Sequence, residues 1–515
     1  MARSSTRQGR LCDTEAVTDT RQRETGPGAG PLALTAAEIA SATHGRVLRS
    51  SRRPISGAAV DSRLVEPGAL FVALPGESTD GHRFLDAAVA AGAAALLVGE
   101  SSEAEAGLLA VAAAATSADV AIVAVPDTLL GLHAVAAAWR NHFSPLVVGV
   151  TGSIAKTSTK EAIAAVLSQR YATLKSEGNA NNEVGLPLTV LRMGPQHEAA
   201  VFEMGMYVGG EIAQLAAIAR PRIGVVTAVL EVHLSRIGSI DAVEAAKAEL
   251  VEALPSDGAA ILNADDPRVE RMRTRTAART ITYGFSPAAD VRAEGVVSAG
   301  LDGMVFTLAA HGAAIRLTTP ALGRHGVHNG LAAAAVGLAA GLDLDLIAAG
   351  VRQGWQAVHR DQIIRIHGLT ILDDTYNASP ASMLAALTLL SSLPGRHVAV
   401  LGEMRELGET HERAHREVGS AAAKVVDELV IVGADAGGIA AGAAALGDKV
   451  VWVPDRMAAI SVLRERLRQG DAVLVKASRG AALESIVETL RASFGGWTAG
   501  TDAQGGARPT GKEVW

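Results

Sequence analysis

The sequence is poor in cysteine, in aromatic residues and in positive charge. Its single cysteine, Cys12, lies in a polar stretch and cannot form an intramolecular disulfide, which fits a reducing compartment. A net charge of −7 provides no basic surface for nucleic acid. Aromatic residues make up 3% of the chain, so its cores must consist largely of alanine, valine, leucine and isoleucine.

Long uninterrupted apolar runs are also missing. Alanine-rich segments such as AAVAAGAAALLVG (87–99) contain glycine and are too short to cross a membrane. Residues 1–30 lack the apolar centre of a signal peptide, so we expect a cytoplasmic protein with no integral membrane segment. At 515 residues the chain is too long for one core, and we expect roughly two to four domains.

Short apolar runs alternate with alanine- and leucine-rich helical patterns, which predicts an α/β fold with largely parallel sheets. Ligands of such folds bind at the carboxyl ends of the strands, where every motif described below lies. The runs are LFVAL (70–74), ALLVG (95–99), AIVAV (121–125), PLVVGV (145–150), AAVFEM (199–204), IGVVTAV (223–229), HVAVLG (397–402), ELVIVG (428–433) and DAVLVKA (471–477).

The segment TGSIAKTSTK (151–160) resembles a phosphate-binding loop between a strand and a helix. The strict pattern G-x-x-x-x-G-K-[ST] fails at both glycine positions, which are Val150 and Ala155. The context still suits an anion, because N–H groups at a helix start hold phosphate oxygens and a lysine adds charge. An ordinary capped helix is the alternative. The candidate ATP or Mg²⁺ contacts are Gly152, Ser153, Ala155, Lys156, Thr157 and Ser158.

Polar residues crowd the following strand ends. The segment GNANNEVGLPLTVL (178–191) places Asn181 and Asn182 between apolar segments, where amides cost desolvation unless they are paired or bind something.

Glu203 ends one strand, His233 follows another, and Lys247 lies on a later helix. With the phosphate loop they form a candidate nucleotide–metal site, because Mg²⁺ prefers oxygen ligands beside phosphates. Taken singly, Glu203 could cap a helix, His233 could be a surface imidazole and Lys247 a solvated lysine.

Together these motifs resemble the Mur ligase family of ATP-dependent, amide-forming enzymes. The resemblance runs from about residue 33 to residue 495. The N-terminal block DSRLVEPGALFVALPGESTDGHRFLDAAVAAGA (61–93) resembles the uridine-nucleotide-binding domain of these ligases. The other segments that carry it are TGSIAKTSTK, GNANNEVGLPLT, EMG (203–205), AKAE (246–249), GRHGVHN (323–329), DDTYNASP (373–380), LGEMRELGE (401–409) and KASR (476–479).

The resemblance implies a three-domain architecture with a central P-loop-type ATPase domain and a Rossmann-like C-terminal domain. It also implies a reaction in which ATP phosphorylates the terminal carboxylate of UDP-N-acetylmuramoyl-tripeptide and D-alanyl-D-alanine then attacks the acyl phosphate, in peptidoglycan precursor synthesis. ATP and Mg²⁺ would be required, and we expect a monomer. The predicted segments are a tail at 1–30, the UDP-precursor domain at 31–138, the ATP domain at 139–357, the C-terminal domain at 358–497 and a tail at 498–515.

The resemblance also implies roles for individual residues. Lys156 would contact the β- and γ-phosphates, and Thr157 would hold Mg²⁺. Glu203, His233 and a carbamylated Lys247 would serve a second metal, while Arg360 would contact the transferred phosphoryl group. Asn329 and Asp374 would bind the nucleotide, and the residues predicted at the substrate are Ser62, Arg63, Asp80, Gly81, His82, Asn181, Asn182, Tyr376 and Asn377.

The chain departs from the family pattern at several site positions. An alanine at 155 is harmless with negative φ but strained with positive φ, and the segment around Arg360 is one residue short with no glycine before the arginine. We keep three hypotheses: the ligase above, the same chemistry on another UDP-linked peptide, and a non-catalytic paralogue that binds nucleotide or precursor. The remaining departures are Ala228, Leu230, Glu231, Ser235 and Ala477.

Overall fold

The computed structural model describes residues 33–76, 79–100, 119–231 and 237–493. These residues form three α/β units, each with its own sheet, and most neighbouring strands are parallel. The predicted α/β class is thereby confirmed. None of the helices in these ranges is long and apolar enough to cross a membrane.

The N-terminal unit has a five-stranded sheet. Its strands β1 to β5 are Arg46–Arg49, Ala58–Ala59, Leu70–Val72, Ala95–Gly99 and Ala121–Val125, and its described helices α1 to α3 are Ala36–Thr43, Leu85–Ala90 and Thr128–Arg140. The strand order is β1-β5-β4-β3-β2, and only β1 runs antiparallel to its neighbour.

The central unit has a nine-stranded sheet in which the first seven strands along the chain pair in parallel. Its strands β6 to β14 are Leu146–Thr151, Thr173–Lys175, Ala199–Glu203, Ile223–Val226, Ala259–Asn263, Arg279–Gly284, Val291–Ser298, Met304–Ala310 and Ala313–Thr319. Its described helices α4 to α10 are Lys156–Leu167, Gly185–Leu191, Glu211–Ala219, Ile240–Glu252, Pro267–Glu270, Gly323–Ala339 and Leu344–Gln353. The order is β14-β13-β12-β11-β10-β9-β6-β8-β7, with β13 antiparallel to both neighbours.

The C-terminal unit has a six-stranded sheet of Rossmann-like character. Its strands β15 to β20 are Gln362–Ile366, Leu369–Asp373, His397–Gly402, Glu428–Val432, Val450–Val453 and Ala472–Lys476, and its described helices α11 to α15 are Pro380–Ser391, His411–Ala422, Gly437–Gly442, Arg456–Arg466 and Glu484–Ser493. The order is β15-β16-β20-β17-β18-β19, and only the hairpin strand β15 is antiparallel to its neighbour.

Helix α3 joins the N-terminal and central units through one continuous apolar core. Leu132 and Val135 belong to the same buried cluster as residues of both sheets. At the end of the helix the indole N–H of Trp139 donates to the carbonyl of Met193 at 2.9 Å, so a buried polar group is satisfied across the boundary. The two units therefore pack as a single block.

Helix α4, which follows the phosphate-loop motif, is held between the central sheet and helices α9 and α10. Its Ile163 and Val166 are fully buried, and α9 contributes the buried alanines at 332–335. The backbones approach closely, since a Cβ on Gly350 would lie 2.6 Å from the Cα of Val166. Small residues thus allow this close approach, and tight packing fixes the turn that begins at Lys156.

Candidate active site

A cavity of about 570 Å³ lies where the carboxyl ends of the central strands face the C-terminal unit. Its wall includes the phosphate loop, the asparagine-rich segment and the end of β8 on the central side. From the C-terminal side it includes the loops after β16, β17 and β20. This placement agrees with the general rule for ligand sites in parallel sheets.

The phosphate loop is clasped against the strand-end segment after β9. The hydroxyl of Thr227 donates to the carbonyl of Ile154 at 2.6 Å. Gly152 has φ +150°, and a Cβ there would lie 1.9 Å from that hydroxyl, so only glycine fits. Ser153 donates its N–H to the carbonyl of Ala228 at 2.8 Å and accepts from the N–H of Leu230 at 2.9 Å. The departures at 228 and 230 leave these contacts intact, because both residues contribute only backbone groups to them.

Of the two backbone conformations that the sequence left open for Ala155, the structure shows the strained one, with positive φ. Ala155 is the residue before α4 and has φ +62° and ψ 2°, in the left-handed region that favours glycine. For an alanine this conformation costs roughly 1–2 kcal/mol. The surrounding clasp and the packing of α4 hold it there, so the loop keeps the conformation of a glycine-containing phosphate loop at the expense of strain.

We expect Ala155→Gly to relieve this strain. Because glycine adopts positive φ without a steric penalty but gains freedom in the unfolded chain, the net stabilisation should be about 0.5–1 kcal/mol. Differential scanning calorimetry checks the sign. Ala164→Gly, inside helix α4 at ordinary helical φ, is the matched control and should destabilise by about 1 kcal/mol. A Tm for Ala155→Gly below that of the wild type would contradict the strain.

Lys156 begins α4 and lies inside the cavity wall. Its Nζ donates to the carbonyl of Gly152 at 2.8 Å. Burial lowers the pKa of Lys156, the charge of Glu203 opposes this shift, and the charge of Arg360 adds to it. Lys156 is partly buried, and it shares the cavity wall with both side chains. Thr157 is buried beside it, and Ser158 also lines the cavity.

Glu203 is 1% exposed at the end of β8 and lines the cavity. Its Oε1 accepts from the amide of Asn181 at 2.8 Å, whereas Oε2 is buried without a hydrogen-bond partner among the described residues. An unpartnered carboxylate oxygen is costly in a protein interior unless a cation or a donor occupies the space beside it. Asn182 instead accepts from the N–H of Gly185, the first residue of α5, at 2.9 Å.

Lys247 is not a solvated surface lysine. It shares the buried face of α7 with Val243 and Leu250, and it is 3% exposed at the cavity wall. Burial lowers its pKa well below the usual range, and the charge of Lys156 lowers it further. Ser239 starts the helix by accepting the N–H of Ala242 at 3.2 Å. The lysine is thus fixed where an ammonium is disfavoured. His233 lies outside the described residues.

The C-terminal unit contributes the opposite wall. Arg360 lies against Tyr376, with its guanidinium carbon 4.0 Å from the ring centroid. Lys476 donates to Asp374 at 2.5 Å and to the carbonyl of Asn377 at 2.8 Å. Burial raises the pKa of Asp374 to about 6 despite this contact. The structure therefore brings Arg360 into the cavity although its segment is short.

Asn329 reaches the same cavity from helix α9. It is buried, and its Oδ1 accepts from the hydroxyl of Thr159 on α4 at 3.1 Å. Ala477 is buried with ordinary φ, and its methyl packs where Gly402 has no side chain. This departure is accommodated by packing rather than by strain.

The predicted uridine-end residues lie in the N-terminal unit and do not line this cavity. The 3-10 helix Gly81–Phe84 is capped by Asp80, which also contacts Nδ1 of His82 at 2.6 Å. Nε2 of His82 accepts from the N–H of Gly99 at 2.9 Å, so the DGH segment is a rigid turn. Arg63 pairs with Asp61 and is otherwise exposed. The residues concerned are Ser62, Arg63, Asp80, Gly81 and His82.

Some cavity residues had no role in the sequence prediction although their motifs had been recognised. Arg405 follows β17 and packs against Gly480, where a Cβ would lie 2.0 Å from its Nη1. Arg479 donates to the hydroxyl of Tyr376 at 3.3 Å. With Lys476 they give the C-terminal side of the cavity three basic side chains. The motifs LGEMRELGE and KASR contain these basic residues, so the sequence already offered them as candidates.

The side chains present fit a nucleotide with Mg²⁺. The hydroxyl of Thr157 and the unpartnered Oε2 of Glu203 are hard oxygen donors, and Lys156 with Arg360 suits phosphate oxygens. Within the described ranges there is no group of three His, Cys, Asp or Glu residues that could hold a metal alone. This donor set suits Mg²⁺, which usually shares its ligands with phosphates.

Three family models match the chain in order. The model for the Mur ligase family, catalytic domain, matches residues 54–140, the Mur ligase middle domain matches residues 150–337, and the Mur ligase, glutamate ligase domain, matches residues 359–479. The chain belongs to the Mur ligase family.

Within that family the resemblance is to MurF. The UDP-N-acetylmuramoyl-tripeptide--D-alanyl-D-alanine ligase of Mycobacterium tuberculosis (strain H37Rv) is 38% identical, with 89% of this chain and 98% of the relative covered. The corresponding ligase of Escherichia coli (strain K12) is 35% identical, with 89% and 99% covered. MurF from Acinetobacter baumannii has a TM-score of 0.79 at 29% identity, covering 89% and 99%. MurF from Thermotoga maritima in complex with ADP has a TM-score of 0.74 at 27% identity, covering 85% and 98%.

Proposed function

We propose that this protein joins D-alanyl-D-alanine to UDP-N-acetylmuramoyl-tripeptide, with ATP converted to ADP and phosphate. The observation that carries the proposal is the cavity that Lys156 and Arg360, from different units, both line. The MurF relatives, which align along nearly their whole length, supply the substrates. A cytoplasmic location and a monomeric state belong to the same proposal.

The chemistry requires activation of a carboxylate, which is a poor electrophile. Transfer of the γ-phosphoryl group to the terminal carboxylate of the tripeptide forms an acyl phosphate and releases ADP. Lys156 and Arg360 would neutralise the charge on the phosphoryl oxygens, and the N–H groups at the start of α4 would hold the adjacent phosphate. Catalysis would rest on positioning and charge stabilisation, since no protein nucleophile is needed.

Mg²⁺ would supply further neutralisation of phosphate charge when bound. Thr157 would hold this ion, and Glu203, His233 and Lys247 as a carbamate would hold a second metal ion. Asn181 would orient Glu203 through their hydrogen bond. Asn329 and Asp374 would bind the nucleotide, as predicted from the resemblance.

In the second half-reaction the amine of D-alanyl-D-alanine attacks the acyl carbon, loses a proton and expels phosphate. The acceptor also carries a carboxylate, and the cationic C-terminal wall suits it through Arg405 and Arg479. Tyr376 and Asn377 line the same wall. The uridine end of the donor would lie at the N-terminal turns that contain Ser62 and His82.

The direct test supplies UDP-N-acetylmuramoyl-tripeptide, D-alanyl-D-alanine, ATP and Mg²⁺, and measures phosphate release and the pentapeptide product by mass spectrometry. Product with one phosphate per amide supports the proposal. Product only with a different UDP-linked peptide would indicate altered substrate choice. Nucleotide binding without turnover would favour a non-catalytic paralogue, although the position of Arg360 in the cavity speaks against lost chemistry.

Carbamylation of Lys247 predicts a dependence on carbon dioxide. CO₂ adds to a neutral amine with loss of one proton, and the lowered pKa of Lys247 leaves more of the amine neutral at a given pH. Depleting CO₂ should reduce the ligation rate several-fold and bicarbonate should restore it. Lys247→Arg, which stays protonated, should have a low rate that bicarbonate does not raise. An equal bicarbonate response in both proteins would contradict the carbamate.

A further inference from the structure

Arg360 lies between two non-glycine residues with left-handed backbone conformation. His359 has φ +58° and Asp361 has φ +48°. The N–H of Arg360 donates to the carbonyl of Ala357 at 3.2 Å, which closes a tight turn around the arginine. Such conformations persist only where the surroundings hold them, and they concentrate at functional sites.

The first of these residues is anchored inside the C-terminal unit. Nδ1 of His359 lies 2.8 Å from Oδ2 of Asp373, a carboxylate that is 1% exposed at the end of β16. The other oxygen of Asp373 accepts from the hydroxyl of Thr375 at 2.7 Å. The carbonyl of His359 also accepts the N–H of Tyr376 at 3.1 Å. Side chain and backbone of His359 are therefore tied to the strand end that carries Tyr376.

The second residue is anchored to the central unit. Oδ2 of Asp361 lies 3.1 Å from Nε2 of His325 on α9, which is an ion-pair contact without the geometry of a hydrogen bond. Burial opposes both charges, yet their attraction raises the pKa of His325 and lowers the pKa of Asp361. The turn is thus held from both sides of the cavity, by one carboxylate–imidazole pair in each unit.

The side chain between the anchors has little freedom. The Arg360 guanidinium stacks on Tyr376 at 4.0 Å, and its charge is close enough to lower the pKa of Lys156. A flexible arginine would lose much of its contribution in ordering itself on the phosphoryl group, whereas a fixed one is already in place.

We propose that His359 and Asp361 are positioning residues that, through Asp373 and His325, clamp Arg360 for contact with the transferred phosphoryl group. The proposal rests on the proposed function and deepens it. The clamp gives the short segment, which lacks a glycine before the arginine, a fixed geometry built from two strained residues. A purely structural role would stabilise the turn without any energetic coupling to Arg360.

A double-mutant cycle tests the coupling through kcat. Arg360→Ala should lower kcat roughly 10³-fold, and His359→Ala roughly 10- to 100-fold with KM for ATP changed less than about 3-fold. In the Arg360→Ala background, His359→Ala should change kcat by less than about 3-fold, because the arginine that it positions is gone. Asp361→Ala should behave in the same way. His359→Asn, which tolerates positive φ and retains a donor, should recover most of the rate.

His311→Ala is the matched control, because His311 has φ +50° in the β13–β14 hairpin and does not line the cavity. Its kcat should stay at the wild-type value. Losses that multiply in the double variants would overturn the clamp while leaving the ligase function intact.

If the wild-type protein forms no amide, the proposed function fails independently of the clamp. The same double-mutant cycle can then be measured through the affinity for a non-hydrolysable ATP analogue with Mg²⁺, determined by calorimetry. Non-additive losses of affinity would then support the clamp. Additive losses, or no binding by any variant, would overturn it.

Discussion

Lys156→Ala is expected to abolish ATP-dependent ligation, with kcat lowered roughly 10³-fold or more. The ammonium is the cation carried by the phosphate loop itself, and its Nζ already lies 2.8 Å from the loop carbonyl of Gly152. Because burial lowers the pKa of Lys156, the folded protein gains little from this charge. Removal should therefore leave Tm at or above the wild-type value. The measurement pairs phosphate release with calorimetry.

Lys175→Ala is the control for that experiment. Lys175 is half-exposed on β7, pairs with Glu161 and does not line the cavity. Loss of an exposed ion pair costs about 0–1 kcal/mol and should leave kcat unchanged. Full activity of Lys156→Ala would remove the proposed site, and an equal loss in both variants would point to a general effect of lysine removal.

Glu203→Gln is expected to give the second large effect, with kcat lowered roughly 100-fold and a higher Mg²⁺ requirement. Glutamine keeps an oxygen that can accept from Asn181. It places an uncharged NH₂ group where the unpartnered Oε2 of the glutamate lies. The residue is 1% exposed, so the change acts inside the cavity. Mg²⁺ titrations of the ligation rate and calorimetric binding of ADP with and without Mg²⁺ measure it.

Glu198→Gln provides the matched comparison. Glu198 immediately precedes β8, at the opposite end of the strand that Glu203 terminates, and its carboxylate accepts the exposed N–H of Ala172. Its Mg²⁺ titration should coincide with that of the wild type. A Glu203→Gln titration that also coincides would show that the buried oxygen has no part in metal binding.

All nine apolar runs identified in the sequence overlap strands, because strands buried on both faces must be apolar along their length. Several of the strands without such runs have a different environment. Val291–Ser298 and Ala313–Thr319 expose one face and mix charged residues with apolar ones. Thr173–Lys175 is only three residues long. Local patterns could not distinguish these segments from loops.

Site residues were predictable where their motif lies beside a recognisable strand of the parallel sheet. Lys156, Glu203 and Lys247 came together although 91 residues separate the first from the last, because each follows a parallel strand of one sheet. The conformation of Ala155 was not predictable, since alanine itself favours negative φ and only the clasp imposes the observed value. The contacts that hold the turn around Arg360 were not predictable either, because they are made with His325 and Asp373, which lie outside that segment.

The shared core around helix α3 has a consequence for how the molecule could be divided. A cut after residue 138, where sequence alone separates two domains, would pass through Thr128–Arg140 and divide the apolar cluster, with Leu132 and Val135 in one fragment and Trp139 in the other. Either fragment would expose surface that the intact chain buries. The N-terminal and central units should therefore behave as one body, and the chain passes from that body to the C-terminal unit between Gln353 and Gln362.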